Sequence, residues 1–163
     1  MKNLKTFEEF GGQIYTNVSD DGAFWGNIGA GIFPICTETK RILMPYRSKQ
    51  VNEPNTWGIW GGKLDDMETN DPRVAAKQEF LEESGFNGDI KLIPAYVFQT
   101  PNKSFTYHNF IGLLNKEFEP ELDWETESFK WMTFEELMNL EPKHFGLEGL
   151  LKNSMGIIKK YVS

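Results

Sequence analysis

The stretch Gly62–Phe86, GKLDDMETNDPRVAAKQEFLEESGF, decides how the rest of the chain is read. Asp71 offers a side-chain oxygen to the unpaired N–H groups of a helix start, and Pro72, with no N–H to lose, suits the first helical position. Gly85 can take the left-handed conformation that ends a helix. A helix over 72–84 is therefore predicted. At about 100° per residue, Glu79, Glu82 and Glu83 stand at i, i+3 and i+4 and share one face of it.

Such a face is electrostatically costly. Each like-charged pair costs about 0.2–0.5 kcal/mol on an exposed helix, and the negative end of the helix dipole disfavours Glu82 and Glu83 by about 0.3–1 kcal/mol each. A divalent cation held by the carboxylate oxygens reverses both penalties, which makes the three glutamates candidate ligands for magnesium or manganese. Ala75 and Ala76 fall on the same face one turn earlier and leave room for a backbone to approach, which Gly61 and Gly62 can supply. For the string EFLEE alone, a solvated acidic surface remains an open alternative.

Working outward, Asn27–Cys36 and Arg41–Tyr46 are apolar, β-branched runs joined by the polar turn TETK. NEPNTWGIWGGKLDD reads as an ordered loop around a short strand at Trp57–Trp60. Ile90–Gln99 and Ser104–Leu114 form a predicted hairpin through the PNK turn, followed by a strand at Ser128–Met132. Phe134–Leu140 reads as a short helix and His144–Tyr161 as a long amphipathic one. Upstream, a short helix at 6–10, a strand at 13–18 and a turn at 19–22 are expected. Strands interleaved with two long helices predict an α/β fold, a mixed sheet packed between helical layers.

The 163 residues suit one domain, residues 1–163. No run approaches the roughly 18 apolar residues of a membrane span, and the N-terminus lacks a secretion signal, so a cytoplasmic protein without a membrane partner is expected. The single cysteine offers no thiolate cluster for zinc, leaving oxygen or histidine for any metal. A net charge of −7 works against binding a long nucleic acid, while a small phosphate ligand carried on a metal stays compatible.

Gly62, Glu68, Glu79, Phe80, Glu82, Glu83, Gly85 and Phe86 together resemble the signature box of the Nudix hydrolases. Two departures stand out: nine residues separate Glu68 from Gln78 where the family pattern has seven, and Gln78 replaces the family's arginine. A neutral amide only partly reproduces the charged hydrogen bonds of a guanidinium. The likeness extends to AGIFPICTETKRILMPYRS, NTWGIWGGKLD, FIGLL and ELDWETESFKWMTFEEL, with Trp60 where many relatives have proline.

The resemblance implies the same α/β/α sandwich and a metal-dependent pyrophosphohydrolase. Its substrate class is a nucleoside diphosphate linked to a sugar, a second nucleotide or a further phosphate. It also implies that Glu79, Glu82 and Glu83, with the Gly62 carbonyl, hold one to three Mg2+ or Mn2+ ions. Glu82 and Glu83 or a glutamate from the later loop, Glu125 ahead of Glu127, would act as general base. Many relatives form dimers, which offers a homodimer by analogy alone and leaves the oligomeric state open. A nucleotide sensor without turnover and an enzyme acting on RNA 5′ ends are competing readings.

Independently of the family, Arg47 and Lys63 are candidates for contacting substrate phosphates, against an ordinary surface role. Trp25, Phe98 and Tyr107 are read as core residues with base stacking as the alternative, and Trp124 and Trp131 as packing residues. His108 and His144 lack a second ligand at metal spacing and are read as structural.

Overall fold

The structure is a computed structural model that describes residues 27–64 and 71–163. In chain order it contains β1 (Asn27–Cys36), β2 (Ile42–Arg47), β3 (Trp60–Lys63), α1 (Pro72–Ser84), β4 (Lys91–Gln99), β5 (Phe105–Leu114), β6 (Thr126–Met132), α2 (Phe134–Met138) and α3 (Phe145–Val162). The expected elements at 6–10, 13–18 and 19–22, together with Trp25 and Glu68, lie outside the described residues. No helix among the described residues is long and apolar enough to cross a membrane.

The six strands form one mixed sheet in the order β4-β5-β1-β2-β6, with β3 joined to β1. β1 is the pivot. It runs parallel to β5 along its whole length, while its other edge pairs antiparallel first with β3 through Gly29–Ile32 and then with β2 at Ile35. β2 and β3 thus diverge like a fork, and the site lies at that fork.

Side chains alternate along a strand, so a central strand buries both of its faces. Ala30 and Ile32 of β1 join Leu43, Phe110, Trp60 and the α1 residues Ala75, Ala76 and Phe80 in one core. Phe33 and Ile35 point the other way, into a second core with Ile42, Met44 and Ile111, covered by Leu137 of α2 and Leu147, Leu150 and Ile158 of α3. The predicted mixed sheet between helical layers is what forms.

The predicted limits of α1 hold: Asp71 Oδ1 accepts from Arg73 N–H at 3.0 Å, and Gly85 closes the helix at φ 77°. Full burial of a side chain the size of Phe80 contributes about 1.5–3 kcal/mol. One element differs from expectation. The short strand expected at 57–60 instead spans 60–63, with Trp57 making only isolated bridges to Tyr46 and Lys143. Glycine explains the shift, because a Cβ on Gly61 would lie 2.5 Å from Ala30 O and 2.6 Å from Gly31 Cα. Only glycine fits at position 61. The long amphipathic helix expected at 144–161 forms over Phe145–Val162, with a kink at Ser154 (φ −129°).

Candidate active site

The register between β3 and α1 is set by two aromatic rings. Trp60 is fully buried, donates Nε1–H to Leu43 O at 3.1 Å and meets Phe80 edge-on with ring centroids 5.6 Å apart. Their neighbours in sequence are thereby brought together. Gly61 N–H donates to Glu83 Oε1 at 3.1 Å, and a Cβ on Gly62 would collide with the Glu79 carboxylate. The glycines admit the helix carboxylates against bare backbone.

On the sheet, Gly29, Gly31 and Gly61 make room for Tyr107. A Cβ on Gly29 would stand 2.6 Å from Tyr107 Cδ2, and one on Gly31 would stand 2.6 Å from Tyr107 Oη. Burial, with the nearby Glu83 and Glu79, pushes the Tyr107 phenol far up, so it stays neutral.

Glu79 and Glu83 interact through a side-chain hydrogen bond. Burial raises the Glu79 pKa to about 7, with Glu82, Glu125 and Asp123 adding to the rise. Burial and then the Glu79 charge push Glu83 well above the usual carboxylate range. Two close carboxylates of this kind hold a proton between them when no cation is bound. Neither makes an ion pair with a lysine or arginine among the described residues.

Where β2 and β3 fork, a cavity of about 340 Å³ opens, lined by Arg47 and Pro45, by Gln50–Asn52, by Ile59 and Gly61, by Glu83 and by Trp124–Thr126. Arg47 Nε–H donates to Asn52 O and Glu53 O, both at 3.1 Å, and Nη2–H donates to Asn52 O as well. Among the described residues no carboxylate lies within ion-pair distance of its guanidinium, although Glu83 and Glu125 act on it through space. Glu125 is half-buried and its pKa is raised, first by burial and then by Asp123. Its backbone is pinned at both ends: Asp123 Oδ1 accepts from Glu125 N–H at 3.0 Å, and Ser48 N–H donates to Glu125 O at 3.0 Å.

The structure therefore gathers Gly62, Glu79, Glu83, Glu125 and Arg47 at one place. Glu82 is exposed and accepts from Gln78 Nε2–H at 3.3 Å, while reaching Glu79 and Glu125 through space. Glu127 is exposed on the edge strand β6, and Lys63 ends β3 opposite Gly29. Trp131 packs as expected, its ring 6.0 Å from Phe118 and its Nε1–H donating to Phe118 O at 2.9 Å. Phe98 is buried against Phe105. Trp124 corrects its reading as a packing residue: it is 62 % exposed at the cavity's rim, because the turn at 123–126 lifts it away from both cores. Asp123 is a site residue that sequence reading missed, its only signal being an aspartate two residues before Glu125.

Among the described residues no three acidic, histidine or cysteine side chains already converge as a complete metal cage. The donor set nonetheless fits a hard divalent cation. Glu79 and Glu83 converge beside a bare glycine backbone, burial raises both pKa values, and neither is ion-paired to a lysine or arginine among the described residues. Glu82 and Glu125 stand within electrostatic reach.

Comparison with known proteins agrees with this geometry. The family described as NUDIX domain matches residues 26–153. A Mycobacterium tuberculosis protein named "Putative 8-oxo-dGTP diphosphatase 3" is 28% identical over 139 residues, 79% of this chain and 63% of that protein. A Streptomyces rubellomurinus CMP-5'-(N-acetyl-N-hydroxy-3-aminopropyl)phosphonate hydrolase is 43% identical over 58 residues, 36% of this chain and 27% of its own length. The chain thus spans less than two thirds of each of these relatives. In fold, it is similar to the crystal structure of a Nudix hydrolase from M. smegmatis, RenU (TM-score 0.65, 16% identity, 86% of this chain and 88% of that one). A MutT Nudix hydrolase from Burkholderia pseudomallei is also similar (TM-score 0.57, 22% identity, 78% and 96%). With its carboxylate helix, its glycine-lined sheet and a family match over 26–153, this chain belongs to the Nudix domain family.

Proposed function

We propose that the chain is a divalent-metal-dependent pyrophosphohydrolase that cleaves the phosphoanhydride of a nucleoside diphosphate joined to a sugar, a second nucleotide or a further phosphate. The observation that carries this reading is the convergence of Glu79 and Glu83 on the Gly61–Gly62 backbone with no direct ion pair to a lysine or arginine among the described residues. The two relatives named above carry the names of a diphosphatase acting on a nucleotide and of a hydrolase acting on a CMP conjugate, which supports a nucleotide as the substrate class.

When bound, Mg2+ or Mn2+ would neutralise the substrate's phosphates and acidify a water. Glu79 and Glu83 would hold the ion, with Glu82 and the Gly62 carbonyl as the further candidate ligands. Arg47 presents its guanidinium to the phosphates from the cavity wall, and Lys63 is the second candidate cation. Glu125, raised by burial and facing Glu83, accepts the proton as the water oxygen attacks phosphorus and the anhydride bond breaks. Glu125 is preferred to Glu127 because only the former lines the cavity. A nucleotide sugar or dinucleotide then gives two phosphate monoesters, and a nucleoside triphosphate gives a nucleoside monophosphate and pyrophosphate.

The test is a product-resolved screen of dinucleotides, nucleotide sugars and nucleoside triphosphates at fixed magnesium, run on wild type, Glu82→Gln and Glu83→Gln. Release of a nucleoside monophosphate by wild type, lost in Glu83→Gln, is expected; undiminished turnover in both variants excludes the reading. A second reading, a nucleotide sensor, draws on Glu82 being turned to Gln78 instead of joining a three-carboxylate cage. Tight nucleotide binding without turnover under either metal would favour it.

A further inference from the structure

Trp124 stands out among the described residues. It makes no ring contact and no hydrogen bond with any of them, and its indole is 62 % exposed where the cavity opens. Tryptophan is on average a well-buried side chain, so an indole held out in water at a pocket rim forgoes burial that either core of this sheet could provide. Nor is it loosely held. Thr126 N–H donates to Asp123 O at 3.3 Å and the bonds to Asp123 Oδ1 and from Ser48 fix the residue that follows it.

The rest of the cavity shows what the indole faces. Glu83, Glu125 and Arg47 give one part of it to charge, and Val51 and Ile59 add apolar surface. Gln50 and Asn52 line it too, and their side-chain amides make no hydrogen bond among the described residues, the neighbouring bonds being to backbone N–H and C=O. An aromatic face together with free amide donors and acceptors matches a planar heterocycle with polar edges: the ring stacks and its edge is read.

We infer that Trp124, with the Gln50 and Asn52 amides, forms the base subsite, stacking on the nucleobase of the nucleotide whose phosphates lie toward Arg47 and the carboxylates. The assignment rests on the pyrophosphohydrolase reading for where those phosphates sit, and it names the nucleotide portion that the carboxylates alone leave undefined. Trp124 sets specificity and affinity and takes no part in bond breaking.

Calorimetric titration of the full chain with AMP, GMP, CMP and UMP, and with ribose 5-phosphate as the probe lacking a base, tests this in wild type, Trp124→Ala and Trp124→Phe. Wild type should bind at least one mononucleotide. Trp124→Ala should bind it about tenfold more weakly, the scale of one base–aromatic stack; Trp124→Phe should restore most of the loss, and ribose 5-phosphate should not distinguish the variants. Equal mononucleotide affinity in wild type and Trp124→Ala, an equal loss for ribose 5-phosphate, or no binding of any of the four overturns the subsite. The two readings separate cleanly. Binding that depends on Trp124 without turnover of any nucleotide removes the hydrolase and keeps the subsite, and turnover whose KM ignores Trp124 does the reverse.

Discussion

Gly61 N–H donates to Glu83 Oε1 at 3.1 Å, a backbone-to-carboxylate bond that ties the sheet to the last turn of the carboxylate helix. The bond survives replacement of the acid by its amide, since a glutamine oxygen accepts equally well. Glu83→Gln therefore separates the charge at this position from the contact it makes. In metal-free protein the pair's folded-state pKa values lie above their unfolded ones, Glu79 at about 7, so the native state holds protons that the unfolded chain has released. Wild-type stability is then greatest near and below the ordinary carboxylate range and falls as pH rises through about 7. In EDTA at pH 8, Glu83→Gln should be more stable than wild type by about 1–2 kcal/mol, because each tenfold difference in proton affinity between the folded and unfolded chain is worth about 1.4 kcal/mol. Thermal melts should show the gap narrowing toward pH 5.5 and closing on magnesium addition.

Gly61 and Gly62 are adjacent but guard different things. A Cβ on Gly61 meets backbone at Ala30 O and Gly31 Cα, which cannot move without breaking the pairing of β1 and β3. A Cβ on Gly62 meets only the Glu79 carboxylate, the far end of a side chain. Gly61→Ala should cost about 1–3 kcal/mol in urea unfolding, as overpacking does. Gly62→Ala should unfold near the wild-type midpoint and lower kcat by about 100-fold through a displaced ligand.

Helix α1 and β1 could be read from local signals because their determinants are local: a capping aspartate, a terminal glycine, a run of apolar residues. The convergence of Glu79 and Glu83 followed from helical period alone. β3 did not, because a strand of WGGK has no period to detect and forms only where β1 also carries glycines, at Gly29 and Gly31. Trp124 was misread for a related reason. In a turn an apolar residue has no face assigned by period, and only the fold shows that this one points out. The same turn separates Glu125 from Glu127, which sequence spacing alone leaves as near equals.

His144 caps α3 in its neutral form: its Nδ1 accepts from Gly146 N–H at 2.9 Å while its backbone N–H donates to Trp57 O at 2.7 Å. Burial first, and then the Arg47 charge, hold its pKa well below the usual histidine value. A proton on Nδ1 would remove the cap acceptor and place a cation at a helix N-terminus. With the folded pKa depressed, the stabilisation is fully present above the unfolded pKa of about 6.5 and is lost as pH falls below it. The carboxylate pair titrates with the opposite sign, so the test is a difference. Between pH 6.5 and 5.5, wild type should lose up to about 1 kcal/mol relative to His144→Asn, which caps without titrating. Urea melts at the two pH values give the comparison.

Arg47 performs two tasks with one fork. Its Nε–H and Nη2–H hold the carbonyls of Asn52 and Glu53, in a turn where Glu53 (φ 54°) and Asn55 (φ 57°) are left-handed and need support. The residue also lines the cavity. Lysine keeps the charge but cannot hold two carbonyls while presenting a planar edge, so Arg47→Lys should loosen residues 48–56 before it weakens attraction for phosphate. Loss of hydrogen bonds from a charged donor predicts a cost of about 1.5–3 kcal/mol, concentrated in the loop. Amide exchange at Asn55 should speed up, because its N–H donates to Arg47 O at 3.1 Å within the same turn, while exchange in β5 stays unchanged. On the proposed reading, in which Arg47 acts on binding and not on the attacking water, KM for the nucleotide substrate should rise about tenfold with kcat little altered. An equal fall in kcat would instead place Arg47 among the groups that stabilise the transition state.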